Sequence, residues 1–146
     1  MASQGRCWNR RKVGILTKIC LQNFMCHTNL EIELGDHVNF ITGLNGSGKS
    51  AILGALSVAF GSRPKLTQRA NTMKDFIKTG CSYALVHVEL KNEGGDAFHP
   101  EKYGNRIILE RKITESNTSK SLEKLPRFTA CFTSFFRLNF LPLTST

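Results

Sequence analysis

Eight consecutive residues have the types and spacing that phosphate chemistry needs: Gly43-Leu44-Asn45-Gly46-Ser47-Gly48-Lys49-Ser50. They fit G-x-x-x-x-G-K-[ST], the phosphate-loop or Walker A pattern, at every fixed position. Glycines let such a loop curl without Cβ clashes, so that successive backbone N–H groups converge on phosphate oxygens. At this spacing the Lys49 ammonium reaches the β- and γ-phosphates of a nucleoside triphosphate, and the Ser50 hydroxyl is placed to ligate Mg2+. The pattern carries weight only between a strand and a helix, whose N-terminus adds partial positive charge beneath the phosphates.

Both flanks have that character. Val38, Phe40 and Thr42 alternate with Asn39 and Ile41, which predicts a short buried strand feeding the loop. After the loop, Ile52, Leu53, Leu56, Ala59 and Phe60 fall at helical spacing, and Gly61 stands where a C-terminal cap belongs. Upstream, Val13, Ile15, Ile19 and Leu21 share one face of a predicted first strand, and Phe24-Met25-Cys26-His27 forms a bend. Leu30, Ile32 and Leu34 then alternate with Glu31 and Glu33, a half-buried strand over 28–34. Gly35-Asp36 reads as a two-residue turn, so this strand is expected to pair antiparallel with the one that feeds the loop. Two strands and a hairpin ahead of the loop point away from a simple βαβ-wound kinase. They predict an α/β fold whose mixed sheet carries an antiparallel β-subdomain.

Beyond the helix, residues 63–72 read as a polar basic loop, and Met73-Lys74-Asp75-Phe76-Ile77 as one helical turn before Gly80. Ala84, Val86, Val88 and Leu90 mark a further strand, and Ile107, Leu109 and Ile113 another. Asn92 to Arg106 joins them through Gly94-Gly95, Pro100 and Gly104, a loop or long hairpin connection. His87, on the polar face, is expected at the solvent, and His27, at the bend, is expected to be packed. Residues 1–12 read as a flexible basic tail, with Asn9-Arg10-Arg11-Lys12 resembling a nuclear-localisation signal. From about Ser116 the composition turns polar and then phenylalanine-rich, so 118–146 is expected to be disordered or poorly packed.

The whole chain sets the bounds. Its 146 residues suit one domain with a real core, and 40% hydrophobic with 21% charged residues is ordinary for a soluble globular chain. No apolar run reaches the length of a membrane span, and the basic start lacks the apolar stretch of a secretory signal; no membrane partner is expected. Five cysteines without a CxxC pair read as reduced thiols of a cytosolic or nuclear protein, with no zinc site. The net charge of +9 is uneven: Arg6, Arg10, Arg11, Lys12 and Lys18 stand in an acid-free 1–30, and Arg63, Lys65, Arg69, Lys74 and Lys78 face Asp75 alone in 63–78. Such excesses suit a polyanionic partner, nucleic acid before membrane, and are matched as readily by solvated charge plus a nucleotide's counter-charges.

With loop and strands in place, a resemblance becomes specific. Asn23-Phe24-Met25-Cys26-His27, Val38-Asn39-Phe40-Ile41-Thr42-Gly43 and Asn45-Gly46-Ser47-Gly48-Lys49-Ser50-Ala51-Ile52-Leu53 closely resemble the start of a structural maintenance of chromosomes (SMC) protein, of the sixth eukaryotic paralogue in its plant form. Gln68-Arg69-Ala70, Lys74-Asp75-Phe76-Ile77-Lys78, Asp96-Ala97-Phe98 and Tyr103-Gly104 continue the likeness, which covers about 13–117. The resemblance implies the N-terminal lobe of an ABC-type ATPase head, a P-loop NTPase with an antiparallel β-subdomain, in which two nucleotides are sandwiched between paired heads. It implies ATP and Mg2+ held by Gly43, Leu44, Asn45, Gly46, Ser47, Gly48, Lys49 and Ser50, with Ser50 on the metal and Arg69 on the phosphates. Lys74 and Lys78 are implied to lie where basic side chains meet DNA. The fifth SMC paralogue is the implied partner head, with non-SMC subunits and double- or single-stranded DNA, in a nuclear, chromosomal complex of recombinational double-strand-break repair.

The sequence also departs from such proteins. Related Rad-fifty-type ATPases place an arginine where Met25 stands, so that phosphate contact is expected to be missing. The chain shows no glutamine loop, heptad coiled coil, signature motif or Walker B carboxylate, and 118–146 does not resemble the family. It is therefore expected to bind ATP without hydrolysing it, as a truncated or spliced product or a gene model read into an intron. Two other readings stand beside this one. A small P-loop nucleotide kinase would need a catalytic base and an arginine-rich lid, and neither pattern is present. A non-catalytic fragment that occupies a partner head or DNA is compatible with the first reading.

Overall fold

Alternating strand patterns on both sides of the phosphate loop come together in one antiparallel sheet with the loop's helix on its apolar face. The computed structural model describes residues 13–61 and 71–115 and the backbone of 120–121. In chain order the elements are β1 (Val13–Phe24), β2 (His27–Glu33), α1 (Lys49–Ala59), a 3₁₀ turn (Met73–Phe76), β3 (Tyr83–Asn92), α2 (Pro100–Tyr103), β4 (Arg106–Thr114) and β5 (Lys120–Ser121). The sheet runs β2-β1-β3-β4-β5, and every described pairing is antiparallel. This is the antiparallel β-subdomain expected of the α/β fold. Residues 1–12 and 122–146 lie outside the described residues.

The inward face follows the period-two pattern of the sequence. Ile19 and Leu21 of β1, Ala84, Val86, Val88 and Leu90 of β3, and Ile107, Leu109 and Ile113 of β4 are buried against α1, which contributes Ile52, Ala55, Leu56 and Val58. β1 departs from simple alternation. Its register against β3 shifts on either side of Leu16, so Leu16 rather than Ile15 packs on the core. On α1 the predicted apolar Leu53 is 41% exposed, and the buried stripe runs through Ala51, Ile52, Ala55 and Leu56 instead. The helix ends as expected. Gly61, at φ 81°, takes up the left-handed conformation, and its N–H donates to the Val58 carbonyl at 3.0 Å.

Two polar residues on the inward face have structural work. Asn92, 1% exposed, donates from Nδ2 to the carbonyls of Phe98 (2.9 Å) and Gly104 (2.8 Å) and accepts the Phe98 N–H at Oδ1 (2.7 Å). That side chain ties down the connection between β3 and β4, where Phe98 also stacks on Tyr103. Arg111 has the parity of Ile107, Leu109 and Ile113 and reaches across to donate from Nη1 to the Val58 carbonyl at 2.8 Å. A cation at the C-terminal end of α1 complements the helix dipole, although burial lowers its pKa.

Two expectations about the approach to the phosphate loop are corrected. Residues 34–44 adopt no strand, and Val38, Phe40 and Leu44 are 75%, 86% and 85% exposed. The strand β2 pairs not with them but with β1, through a hairpin closed by Met25 and Cys26 with Phe24 opposite His27. The cause is local. Asn39 Oδ1 accepts the Gly35 N–H at 2.8 Å and its Nδ2 donates to the Gly35 carbonyl at 3.0 Å, closing 35–39 into a loop. An amide side chain that satisfies backbone groups in this way competes directly with a sheet ladder. Lys91 holds the same loop from the sheet through Asp36 at 3.0 Å.

The β1–β2 turn is anchored to the 3₁₀ segment. Phe24 and Phe76, both fully buried, stack with ring centroids 5.3 Å apart. The Met25 N–H donates to the Phe76 carbonyl at 2.8 Å, and the Lys78 N–H to the Asn23 carbonyl at 2.9 Å. These bonds hold Asn23 and Met25 at φ 51°, a conformation non-glycine residues avoid without such support. Phe24→Ala is expected to lower unfolding stability by about 3–5 kcal/mol through lost burial and a cavity, measured as a shift of the urea midpoint at unchanged slope.

Candidate functional site

The phosphate loop meets α1 where the sequence places it. Gly48, at φ 90°, is the residue preceding the helix, and no side chain caps the helix N-terminus. The first turn carries no acid. Those backbone N–H groups and the dipole behind them make an anion-binding end. Lys49 turns back into the loop, its Nζ donating to the carbonyls of Gly43 at 2.6 Å and Leu44 at 2.7 Å. Lys49 and Ser50 open on a cleft of about 570 Å³ whose lining also includes Asn45, Gly46 and Gly48.

The other wall comes from the hairpin turn and the 3₁₀ segment: Met25, Cys26, Asp75, Ile77 and Thr79. Met25 lies in this wall, so an apolar side chain lines the cleft there. Asp75 is the one acid lining the cleft among the described residues. Its Oδ2 accepts the N–H groups of Asn71 and Thr72, each at 2.8 Å, and its Oδ1 accepts the Thr72 hydroxyl at 3.1 Å. The Thr72 and Asn71 N–H groups hold its carboxyl below the usual carboxylate range. That carboxylate is an ionised cap for its own turn.

The sequence reading missed how closely the hairpin turn touches the loop. A Cβ on Gly48 would collide with the His27 ring at Nε2 and with Cys26 Sγ. His27 Nε2 stands 3.2 Å from the Gly48 carbonyl oxygen. Glycine at 48 is favoured by its φ, and a side chain there would also have to displace the His27 ring and the Cys26 thiol. The available signal was His27 at the bend, expected only to be packed.

Other site residues distribute differently. Arg69, with Arg63 and Lys65, lies outside the described residues. Lys74 is exposed, whereas the Lys78 ammonium is hydrogen-bonded to the Thr28 hydroxyl. Both line a shallow groove with Thr79, Gly80, Cys81 and Glu115, next to the main cleft. His87 is not free at the solvent: its side chain is 25% exposed and Nε2 lies 3.3 Å from Glu89 Oε1. Glu89, 14% exposed, is also paired with Arg106 at 3.3 Å.

An uncapped helix start, a glycine-rich loop curled round a lysine, and an antiparallel sheet beneath them define the P-loop ATPase class. The chain belongs to the AAA domain family, whose model matches residues 18–130. That match continues past the compositional change near Ser116, where Lys120–Ser121 joins the sheet beside β4. Within this class the chain is similar to the N-terminal head region of the sixth SMC proteins. It is 70% identical over 105 residues to structural maintenance of chromosomes protein 6A of Arabidopsis thaliana, covering 72% of this chain and 10% of that protein. The human structural maintenance of chromosomes protein 6 is 45% identical over 104 residues, 70% of this chain and 10% of that protein. The chain thus spans about a tenth of the length of these relatives.

Among solved structures, one from work on ATP-driven dimerization and DNA stimulated activation of SMC ATPases superposes with a TM-score of 0.62. Its identity is 24%, over 71% of this chain and 66% of that one. The recombination mediator protein RecF with ATP gives 0.61 at 21% identity, over 77% of this chain and 27% of that one. At such identities the likeness establishes the fold: the SMC and RecF type of ATPase head.

Gly48→Ala is expected to cost about 1–3 kcal/mol, because it forces a side chain into a left-handed conformation and into the hairpin turn. Thermal unfolding, together with loss of the native Lys49 and His27 resonances, measures it.

Proposed function

We propose that the chain is the ATP-binding N-terminal lobe of an SMC head. The observation that carries this reading is the P-loop held at an uncapped helix start by a hairpin of the antiparallel sheet, in a sequence 70% identical to a sixth SMC protein. Gly43 to Ser50 would wrap the phosphates with backbone N–H groups, the Lys49 ammonium would take the β- and γ-phosphates, and the Ser50 hydroxyl would ligate Mg2+. Arg69 would add charge on the same phosphates. The exposed apolar side chains of Val38, Phe40, Ile41 and Leu44 ahead of and within the loop support a lobe reading, since large apolar groups left at the surface are the kind another part of a head covers.

Hydrolysis demands a polarised water and stabilisation of charge developing on the γ-phosphate. In this chain the loop supplies binding and positive charge, while the acid in the cleft, Asp75, is committed to Asn71 and Thr72. The reading is therefore ATP binding without turnover by this chain alone. In the larger setting of the family it would work in the nucleus on chromosomes, with the fifth SMC paralogue as partner head and non-SMC subunits, in recombinational repair of double-strand breaks. Lys74 and Lys78 would meet DNA at the groove beside the cleft.

Calorimetry with ATP and Mg2+ tests the binding site. Lys49→Ala is expected to weaken affinity about ten- to a hundredfold, the loss of one charge-assisted contact, with the fold intact. Phosphate release at saturating ATP is expected at background, and turnover near one per second that Lys49→Ala abolishes would contradict the non-hydrolytic reading. The DNA surface is tested separately. Double-stranded DNA is expected to shift the protein at about 50 mM salt, irrespective of sequence, with affinity falling steeply as salt rises.

A further inference from the structure

The nucleotide reading does not explain why the β1–β2 hairpin presses its turn against the phosphate loop. His27 Nε2 lies 3.2 Å from the Gly48 carbonyl oxygen, which also accepts the Ala51 N–H at 2.9 Å. A carbonyl oxygen only accepts, so the imidazole must present Nε2–H to it. The turn that carries His27 is itself fixed, by the Phe24–Phe76 stack and by the Met25 N–H on the Phe76 carbonyl. The contact is close enough that position 48 has no room for a Cβ.

In a trans peptide, the C=O of one residue and the N–H of the next point to opposite sides of the chain. Holding the Gly48 carbonyl toward His27 and Ala51 therefore turns the Lys49 N–H away from them. That N–H belongs to the first turn of α1, at the cleft lined by Gly48, Lys49 and Ser50. A hydrogen bond on the carbonyl also polarises the peptide and strengthens its N–H as a donor. We infer that His27 is a positioning residue: its Nε2–H fixes the Gly48–Lys49 peptide plane so that the Lys49 amide faces the phosphate of a bound nucleotide. The inference rests on the nucleotide-site reading and adds to it the group that orients one of its donors.

Two variants of the full chain separate donation from space-filling. His27→Gln keeps an N–H donor at similar reach, and His27→Leu fills the space without one. His27→Leu is expected to weaken ATP and ADP alike about three- to tenfold, and His27→Gln to return affinity to within about twofold of wild type. Equal affinity for wild type and His27→Leu overturns the inference alone, as does a His27→Gln no better than His27→Leu. A second readout needs no nucleotide and does not depend on the variants folding. Long-range 1H–15N spectra of the wild-type chain are expected to show the neutral His27 ring protonated at Nε2, and protonation at Nδ1 overturns the inference. A wild-type chain with the Nε2–H ring that binds no ATP overturns the nucleotide-site reading, and this inference with it.

Discussion

The stack of Phe24 on Phe76 is the contact on which the rest of the site depends. It joins the end of β1 to the 3₁₀ turn, two segments about fifty residues apart in sequence, beneath the helix that begins at the phosphate loop. Each ring is removed from water completely, and an aromatic pair in van der Waals contact gains further from its offset geometry. Because the rings are fixed, the backbone on either side of them is fixed too. Residues 23–25 and 76–78 form a short ladder through the Phe24–Ile77 bridge, and the hairpin turn is carried against Gly48. A packing event in the core thus sets where the hairpin turn meets the Gly48 carbonyl.

The two faces of the sheet divide the labour. Its apolar face receives α1 and so sets the direction of the helix dipole toward the cleft. Its other face carries polar pairs, with Lys18 on Glu31, Arg106 on Glu89 and Lys91 on Asp36, and the His87 ring beside Glu89. Lys91 and Asp36 reach from the sheet to the loop that leads to Gly43, and Asn39 closes that loop on itself. The approach to the phosphate loop is therefore shaped by polar contacts, while its apolar side chains face outward.

Glycine and lysine in the loop answer to more than phosphate. Gly48 is the residue where helix start, left-handed backbone and hairpin turn coincide. Lys49 satisfies the Gly43 and Leu44 carbonyls from within the loop, so its ammonium helps to hold the loop's curl.

By itself the sequence determined the phosphate loop, its helix, the inward faces of β3 and β4 and the family, because each rests on local spacing: a fixed motif or a period of two or 3.6 residues. On β1 it placed Ile19 and Leu21 inward, but the register shift at Leu16 lay outside the pattern. Arg111 shares the parity of its buried neighbours, yet the sequence reading did not place it inward, and its partner at the end of α1 came only from the fold. What only the tertiary structure decided were pairings between distant segments. The alternation of Val38, Phe40 and Thr42 is a genuine strand pattern, but a pattern does not name its partner, and Asn39 closes the segment into a loop instead. The bend over 24–27 was legible, but not that it would close β2 onto β1: the turn at Met25 and Cys26 depends on Met25, held at a positive φ by its bond to the 3₁₀ segment. His27 on Gly48 is a contact across twenty-one residues that no periodicity encodes. It exists because the buried phenylalanines bring two loops to one place, and burial of that kind is a property of the whole chain.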